Sequence, residues 1–208
     1  MAKLLILGAG GHGKVVAEVA CLSKEWDEIS FLDNDESKSR LDWYPVVGKL
    51  DEFVTLRDKY DYAFVAIGDN LLRMRYIKLL MECGYKLPTL IHPTAVVSEN
   101  TKIGEGTMIC VNSVINTGTV IGQGCIINTS SSIDHCCKIG DGVHISPGVN
   151  IGGTVTIDNY SWICIGSNVS NDIKIGNHSI ISAGAVVLDD VESDVLVGGI
   201  PAEFIKHL

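Results

Sequence analysis

The chain has 208 residues, a formal net charge of −9 and 46% hydrophobic residues, enough apolar content for one large core or two smaller ones. Residues 91–208 hold only four Lys or Arg against eleven Asp or Glu, so there is no basic stripe for nucleic acid and no polybasic tether for a membrane. Seven cysteines, an odd number without C-x-x-C spacing, read as reduced, packed thiols; the amino-terminal apolar run is too short for a signal peptide, no eighteen-residue apolar stretch occurs, and the expected location is the cytoplasm.

In chain order, the run Leu4–Leu7 predicts a strand that enters Gly8-Ala9-Gly10-Gly11-His12-Gly13, and Lys14 to Cys21 carries a helical apolar pattern. Strand, glycine turn and helix start are the parts of a backbone cradle for a diphosphate, because bare N–H groups and the helix dipole point at the anion. A second strand, Ile29 to Leu32, ends in Asp33 and Asn34; a third, Tyr62 to Ile67, ends in Gly68 and is followed by a helix from Asn70 to Cys83. These strand ends are where open α/β sheets bind ligands. The segment 1–90 is thus expected to be a Rossmann-like half domain, with Gly10, Gly11, His12, Asp33, Asn34 and Gly68 as binding positions. A nicotinamide dinucleotide with Asp33 on its ribose is the rival ligand. About ninety residues suit one nucleoside diphosphate better. A glycine turn that only packs helix on strand is the plainer alternative, but it has no packing use for the imidazole of His12.

From Ile91 to Val187 a branched aliphatic residue falls at every sixth position without a miss. No α-helix keeps such a stripe on one face, and a flat strand of that length would not stay folded. The chain must coil, and a parallel β-helix of hexapeptide repeats, three short strands per coil, points each aliphatic residue into a triangular prism. Gly104, Gly122, Gly140 and Gly176 mark an eighteen-residue period directly after their aliphatic residues, with Asp158 the exception; Gly148, Gly166 and Gly184 lie three residues after theirs, where a tight bend calls for positive φ. Small or β-branched residues two positions before the aliphatic ones, such as Thr107, Ser113, Thr119 and Ser161, are expected to share the interior. Residues 91–208 are therefore the second predicted domain.

Two histidines stand out on the prism. His135 lies two residues after the inward Ile133, a corner position, and His144 immediately precedes the inward Ile145, so it faces outward from a flat side. The corner and the face lie opposite each other, and the two imidazoles of one chain should point apart. They can meet only across a subunit boundary, for which a cyclic trimer is the simplest closure. Asn128 and Asp134 are close enough in sequence to orient a His135 ring nitrogen, as a general base requires. No histidine pair has ligand spacing on one face, so no metal is expected.

The hexapeptide stack, the Gly8–Lys14 turn, the segment Asn128–His135 and the tail Gly198-Gly199-Ile200-Pro201-Ala202 together resemble the NeuD/PglD-type bacterial sugar O-/N-acyltransferases along essentially the whole chain. The resemblance implies a left-handed β-helix, a homotrimer, and acetyl-CoA as co-substrate in the groove between subunits. It also implies that His135 is the general base, that His144 contacts acetyl-CoA near its acetyl end, and that Gly153, Ile165 and Ala183 touch the cofactor through backbone groups. The implied activity is N-acetylation of the 4-amino group of a nucleotide-linked amino-deoxysugar in glycan or polysaccharide biosynthesis. Sialic acid O-acetylation and a non-catalytic scaffold role are the alternatives. Sugar, nucleobase and pathway are not legible.

One position departs from the family pattern. An acidic residue commonly follows the base histidine in such enzymes, and here Cys136 stands there. Either Asp134 orients the ring instead, or a weaker base serves an amine that is already a good nucleophile, which favours N- over O-transfer.

Overall fold

The run Lys3–Leu7 forms strand β1, buried from Leu4 onward, and pairs in parallel with β2 (Glu28–Leu32) on one side and β5 (Tyr62–Val65) on the other. The computed structural model describes residues 2–208, and the chain divides into two units, Met1–Pro93 and Thr94–Leu208. In the first, helix α1 (Gly11–Ser23) buries Val16, Ala17, Val19 and Ala20, and α2 (Asn70–Glu82) buries Tyr76, Ile77 and Leu80. Between β2 and β5 run a two-stranded hairpin, β3 (Arg40–Leu41) and β4 (Tyr44–Pro45), and a 3-10 turn, Leu50–Val54, none of them foreseen from the apolar pattern because each is too short to show one.

α1 begins three residues earlier than its apolar pattern, since the glycines of the turn make its first turn. The reason is contact. A Cβ on Gly13 would stand 2.3 Å from the Gly8 carbonyl oxygen, and Gly8, at φ +107°, would bring its own Cβ to 2.8 Å from the Ala66 carbonyl oxygen. Only bare backbone lets the helix seat so near the strand ends.

The second unit is a left-handed parallel β-helix. Its first face stacks the two-residue strands Val96–Val97, Val114–Ile115, Ser132–Ile133, Asn150–Ile151, Asn168–Val169 and Val186–Val187. The second face stacks Lys102–Ile103, Val120–Ile121, Lys138–Ile139, Thr156–Ile157 and Lys174–Ile175. The third carries Met108–Ile109, Ile126–Ile127, His144–Ile145, Trp162–Ile163 and Ile180–Ile181, then Val195–Gly198 with the antiparallel Glu203–His207. Up to Val187 each strand pairs with the one eighteen residues away, as in Ile127↔Ile145 and Ile145↔Ile163, and the last coil is shorter, with Ile180 pairing Leu196 sixteen residues on.

Every aliphatic rung from Ile109 to Val187 is at most 4% exposed, whereas Ile91, Val97 and Ile103 are only partly covered or exposed. At about 1.5–3 kcal/mol per buried aliphatic side chain, the stack outweighs any other apolar contribution in this unit. The small residues between rungs answer the backbone at the corners: Thr107 Oγ1 donates to the Gly122 carbonyl and accepts from Cys125 N–H, and Thr119 Oγ1 does the same for the Asp134 carbonyl and Cys137 N–H.

The left-handed backbone expected of Gly148, Gly166 and Gly184 is present, at φ +67°, +68° and +69°. It recurs at the same place in other corners, including non-glycine residues such as Asn112, Ser130, Cys136, Thr154 and Asp172. The other glycine series serves a different need. A Cβ on Gly122 would meet Asp141 Oδ1 at 2.4 Å, and one on Gly140 would meet Asn159 Oδ1 at 2.5 Å, the side chains that cap Gln123 and Asp141 N–H groups from the next coil.

Candidate active site

His135 stands in the corner between the first and second faces, and its ring lies against the next coil. A Cβ built on Gly153 would be 2.6 Å from His135 Cε1 and 2.7 Å from Nε2, so the absence of a side chain at Gly153 is what lets the ring lie there. The residue is exposed. Asp134, beside it, accepts from the His135 backbone N–H and from Asn116 Nδ2, both at 2.8 Å on Oδ1. The Asn116 amide first, then that N–H, hold the Asp134 carboxyl below the usual carboxylate range. Both hydrogen bonds brace the loop that carries His135 rather than the imidazole nitrogens. Below the corner, Thr119 ties the Asp134 carbonyl and the Cys137 N–H, bracketing His135 and Cys136 from the interior.

Cys136 is exposed at φ +60°, and its Sγ would be 3.3 Å from a Cβ on Gly118. It is not one of the packed thiols, nor is Cys21, which is also exposed. Cys110, Cys125 and Cys137 are buried, and burial pushes the Cys110 thiol up to about 12. All seven cysteines are free.

His144 lies on the third face, opposite the His135 corner, so within one chain the two imidazoles do belong to different sides. Asn128, expected beside His135, pairs with His144 instead: its Nδ2 is 3.4 Å from His144 Nε2. The reason is register. Asn128 follows the strand Ile126–Ile127, which pairs with His144–Ile145, and so belongs to the third face and its corner. On the other side of the ring Trp162 stacks on His144, centroids 5.7 Å apart and planes within 8°. Neither Trp162 nor Asn116 was singled out in the sequence, although each lies eighteen residues from a residue that was, His144 and Asp134.

Ile165 and Ala183 are exposed, one coil apart in the corner between the third and first faces, and Gly153 sits in the corner with His135. Each of the first two is followed by a left-handed glycine, Gly166 and Gly184, with open space around the missing Cβ. The three positions expected to meet a cofactor thus fall on two corners of the prism.

In the first unit the predicted cradle residues converge at the ends of β1, β2 and β5. α1 has Gly10 as its N-cap with no side-chain hydrogen bond, and Gly10, Gly11 and Gly68 all have open space where a Cβ would be. Asp33 braces the loop: Oδ2 accepts from Ala9 N–H at 2.7 Å and Oδ1 from Asp35 N–H at 2.9 Å. Asn34 Oδ1 accepts from Leu50 N–H, and Asp33 lines an open depression of about 330 Å³ with Lys38, Gly48, Lys49 and Glu52. His12 is sunk into the protein with no hydrogen-bond partner for Nε2, and burial, then the Arg73 guanidinium, bring its pKa down to about 4. Arg73, 1% exposed, donates to the carbonyls of Ile67 and Gly68 and to Asn70 Oδ1, fixing the β5 end of the cradle. Nothing in the local sequence marked Arg73, since an arginine on a helix ordinarily faces water.

Among the described residues, no helix is long and apolar enough to cross a membrane, and no three His, Cys, Asp or Glu side chains are grouped to hold a metal ion.

The PglD N-terminal domain family matches residues 3–80, and the bacterial transferase hexapeptide family (six repeats) matches residues 118–153. A curated relative, UDP-N-acetylbacillosamine N-acetyltransferase of Bacillus subtilis (strain 168), is 35% identical over 114 residues, 52% of this chain, and the match spans about half (51%) of that relative's length. Among solved structures, a variant of perosamine N-acetyltransferase from Caulobacter crescentus, in complex with CoA and GDP-perosamine, superposes with a TM-score of 0.95 at 33% identity, covering 99% of this chain and 98% of that one. The acetyltransferase domain of PglB from Neisseria gonorrhoeae FA1090, in complex with acetyl coenzyme A, gives 0.94 at 36% identity, covering 98% of each chain. Full-length likeness at this identity, on a glycine-loop α/β unit followed by a hexapeptide coil, places the chain in the NeuD/PglD-type family of left-handed β-helix sugar acyltransferases.

Proposed function

We propose that the protein is an acetyl-CoA-dependent N-acetyltransferase that acts by direct transfer on the 4-amino group of a nucleotide-linked amino-deoxysugar. The observation that carries this reading is the His135 ring seated on bare Gly153 at an exposed corner, a general base held where a substrate can reach it. The relatives bound to CoA with GDP-perosamine, and to acetyl coenzyme A, support the two substrate classes.

In the proposed step the amine lone pair attacks the thioester carbonyl carbon. The C–S bond breaks as the tetrahedral intermediate collapses, the proton lost from nitrogen passes to His135, and CoA leaves as thiolate to be protonated by solvent. Asp134 fixes the His135 loop. Base assistance of this kind is worth about 10²–10⁴ in rate, and alignment of the two substrates supplies the remainder. His144 meets the acyl donor near its acetyl end, and Gly153, Ile165 and Ala183 line its path. Gly10, Gly11 and His12 at the uncapped start of α1, with Asp33, Asn34 and Gly68, hold the nucleotide.

Because His135 and His144 occupy opposite sides of one prism, a complete centre takes His135 from one subunit and the His144 face from a neighbour, and a cyclic homotrimer satisfies every site at once. Incubation with acetyl-CoA and a panel of uridine and guanosine diphosphate amino sugars should release free thiol with at least one 4-amino sugar, and sedimentation should give a trimer. Absence of thiol release across the panel, or a monomer that is fully active, would overturn the reading.

A further inference from the structure

His144 stands on a flat outer face, where an imidazole ordinarily turns freely about its side-chain bonds. Here it is held on two sides. Trp162 pairs with it directly in the parallel ladder and lies flat on the ring, 5.7 Å between centroids at an interplanar angle of 8°. The indole is itself locked, because its Nε1–H donates to Ser146 Oγ at 2.8 Å and Ser146 is only 4% exposed. On the far side Asn128 Oδ1 accepts from Thr129 N–H at 2.8 Å, which decides which end of the amide faces the ring. Nδ2 is therefore the group 3.4 Å from His144 Nε2, a donor against that edge of the ring.

None of this is needed to hold the coil together. The inward neighbours Ile145 and Ile163 are fully buried and supply the packing, while Trp162 keeps 43% of its surface in solvent. We infer that Asn128 and Trp162 are a positioning pair for the acyl donor, fixing the plane of the His144 ring and the donor that faces its Nε2 edge so that it presents one set geometry to the incoming thioester. The inference rests on the reading that His144 meets that donor. It moves Asn128 from the base histidine to the donor side of the reaction and adds a residue, Trp162, for which no role has been assigned.

The test is calorimetric titration of the full-length protein with CoA, together with separate KM values for acetyl-CoA and the nucleotide sugar. Trp162→Ala should weaken CoA binding and raise the acetyl-CoA KM about three- to tenfold, the range expected for one aromatic stack, with the sugar KM unchanged. Trp162→Phe keeps an aromatic face but loses the Nε1–H bond to Ser146, so its acetyl-CoA KM should fall between those of wild type and Trp162→Ala. Asn128→Asp offers only acceptors to Nε2 and should weaken CoA binding while the fold is retained. Since the other tryptophans, Trp26 and Trp43, lie in the first unit, CoA should change an emission component that Trp162→Phe removes. Unchanged CoA affinity in both Trp162→Ala and Asn128→Asp, or a sugar KM that moves as much as the donor KM, overturns the inference. A wild-type protein that fails to bind CoA at all instead overturns the proposed function beneath it.

Discussion

The imidazole of His135 rests on Gly153 so closely that a methyl group there would stand 2.6 Å from Cε1. The clash is with the free end of a side chain, not with backbone, so the ring can swing away at little cost. Gly153→Ala should therefore fold with a melting temperature near wild type yet lose about ten- to a hundredfold in kcat, as expected for a base displaced by the order of an ångström. Normal kcat in a well-folded Gly153→Ala would show that the ring position does not matter.

His135→Ala should lose at least about a hundredfold in kcat with little change in acetyl-CoA affinity, the pattern of a group that acts in the transition state. Steady-state kinetics beside CoA titration separates the two quantities.

Thr119→Val keeps the shape of a fully buried residue while removing the hydroxyl that serves the Asp134 carbonyl and the Cys137 N–H. Loss of about 1–3 kcal/mol of stability is expected for buried groups left unpaired, and because they flank His135 and Cys136, kcat should fall as well. Chemical denaturation and kinetics on the same preparation check both halves.

His12 gives the first unit an acid sensitivity of defined sign. Its folded pKa, about 4, lies below the unfolded 6.5, so the unfolded chain binds the extra proton between those values and stability falls as pH drops from 6.5 towards 4. The shift corresponds to at most about 3 kcal/mol at the acid end. His12→Gln has no such proton to bind, and its melting temperature relative to wild type should rise progressively over that window. A pH-independent difference would mean that the imidazole is not held neutral.

Cys136→Glu places a carboxylate directly after the proposed base and should raise kcat; a slower enzyme would reveal a role for the exposed thiol. Cys136→Gly, which relieves a left-handed residue, should stabilise the coil by up to about 1 kcal/mol.

The coil was legible because neither an α-helix nor a flat strand keeps an aliphatic residue at every sixth position on one face of a folded chain, and the exposure of His135 and the outward, partly buried place of His144 followed from their offset to Ile133 and Ile145. The strand–glycine–helix order of the first unit was legible for the same kind of reason. What escaped was lateral. Asn128 is seven residues from His135 and sixteen from His144, so proximity in sequence favoured the wrong partner; only the eighteen-residue pairing brings the Asn128 corner alongside His144. Trp162 reads as one more outward aromatic until the ladder sets it on His144. Arg73 carries no sequence signal, because what buries it is the carbonyl-lined end of β5, a feature of the backbone and not of side-chain pattern.

The parallel pairing of residues eighteen apart, as in Ile133↔Ile151, has a bearing on how this chain can diverge. A single-residue deletion between His135 and Gly153 would throw every later rung out of phase and separate the ring from its seat. Removal of six residues would keep the aliphatic beat but turn every downstream side chain onto a neighbouring wall. Among the regular coils that end at Val187 only whole-coil gains or losses leave both beat and bearing intact, so there lineages descended from this sequence should differ by point exchanges on the outer surface or by multiples of one full turn, whereas the last coil, already two residues short, is free of that limit.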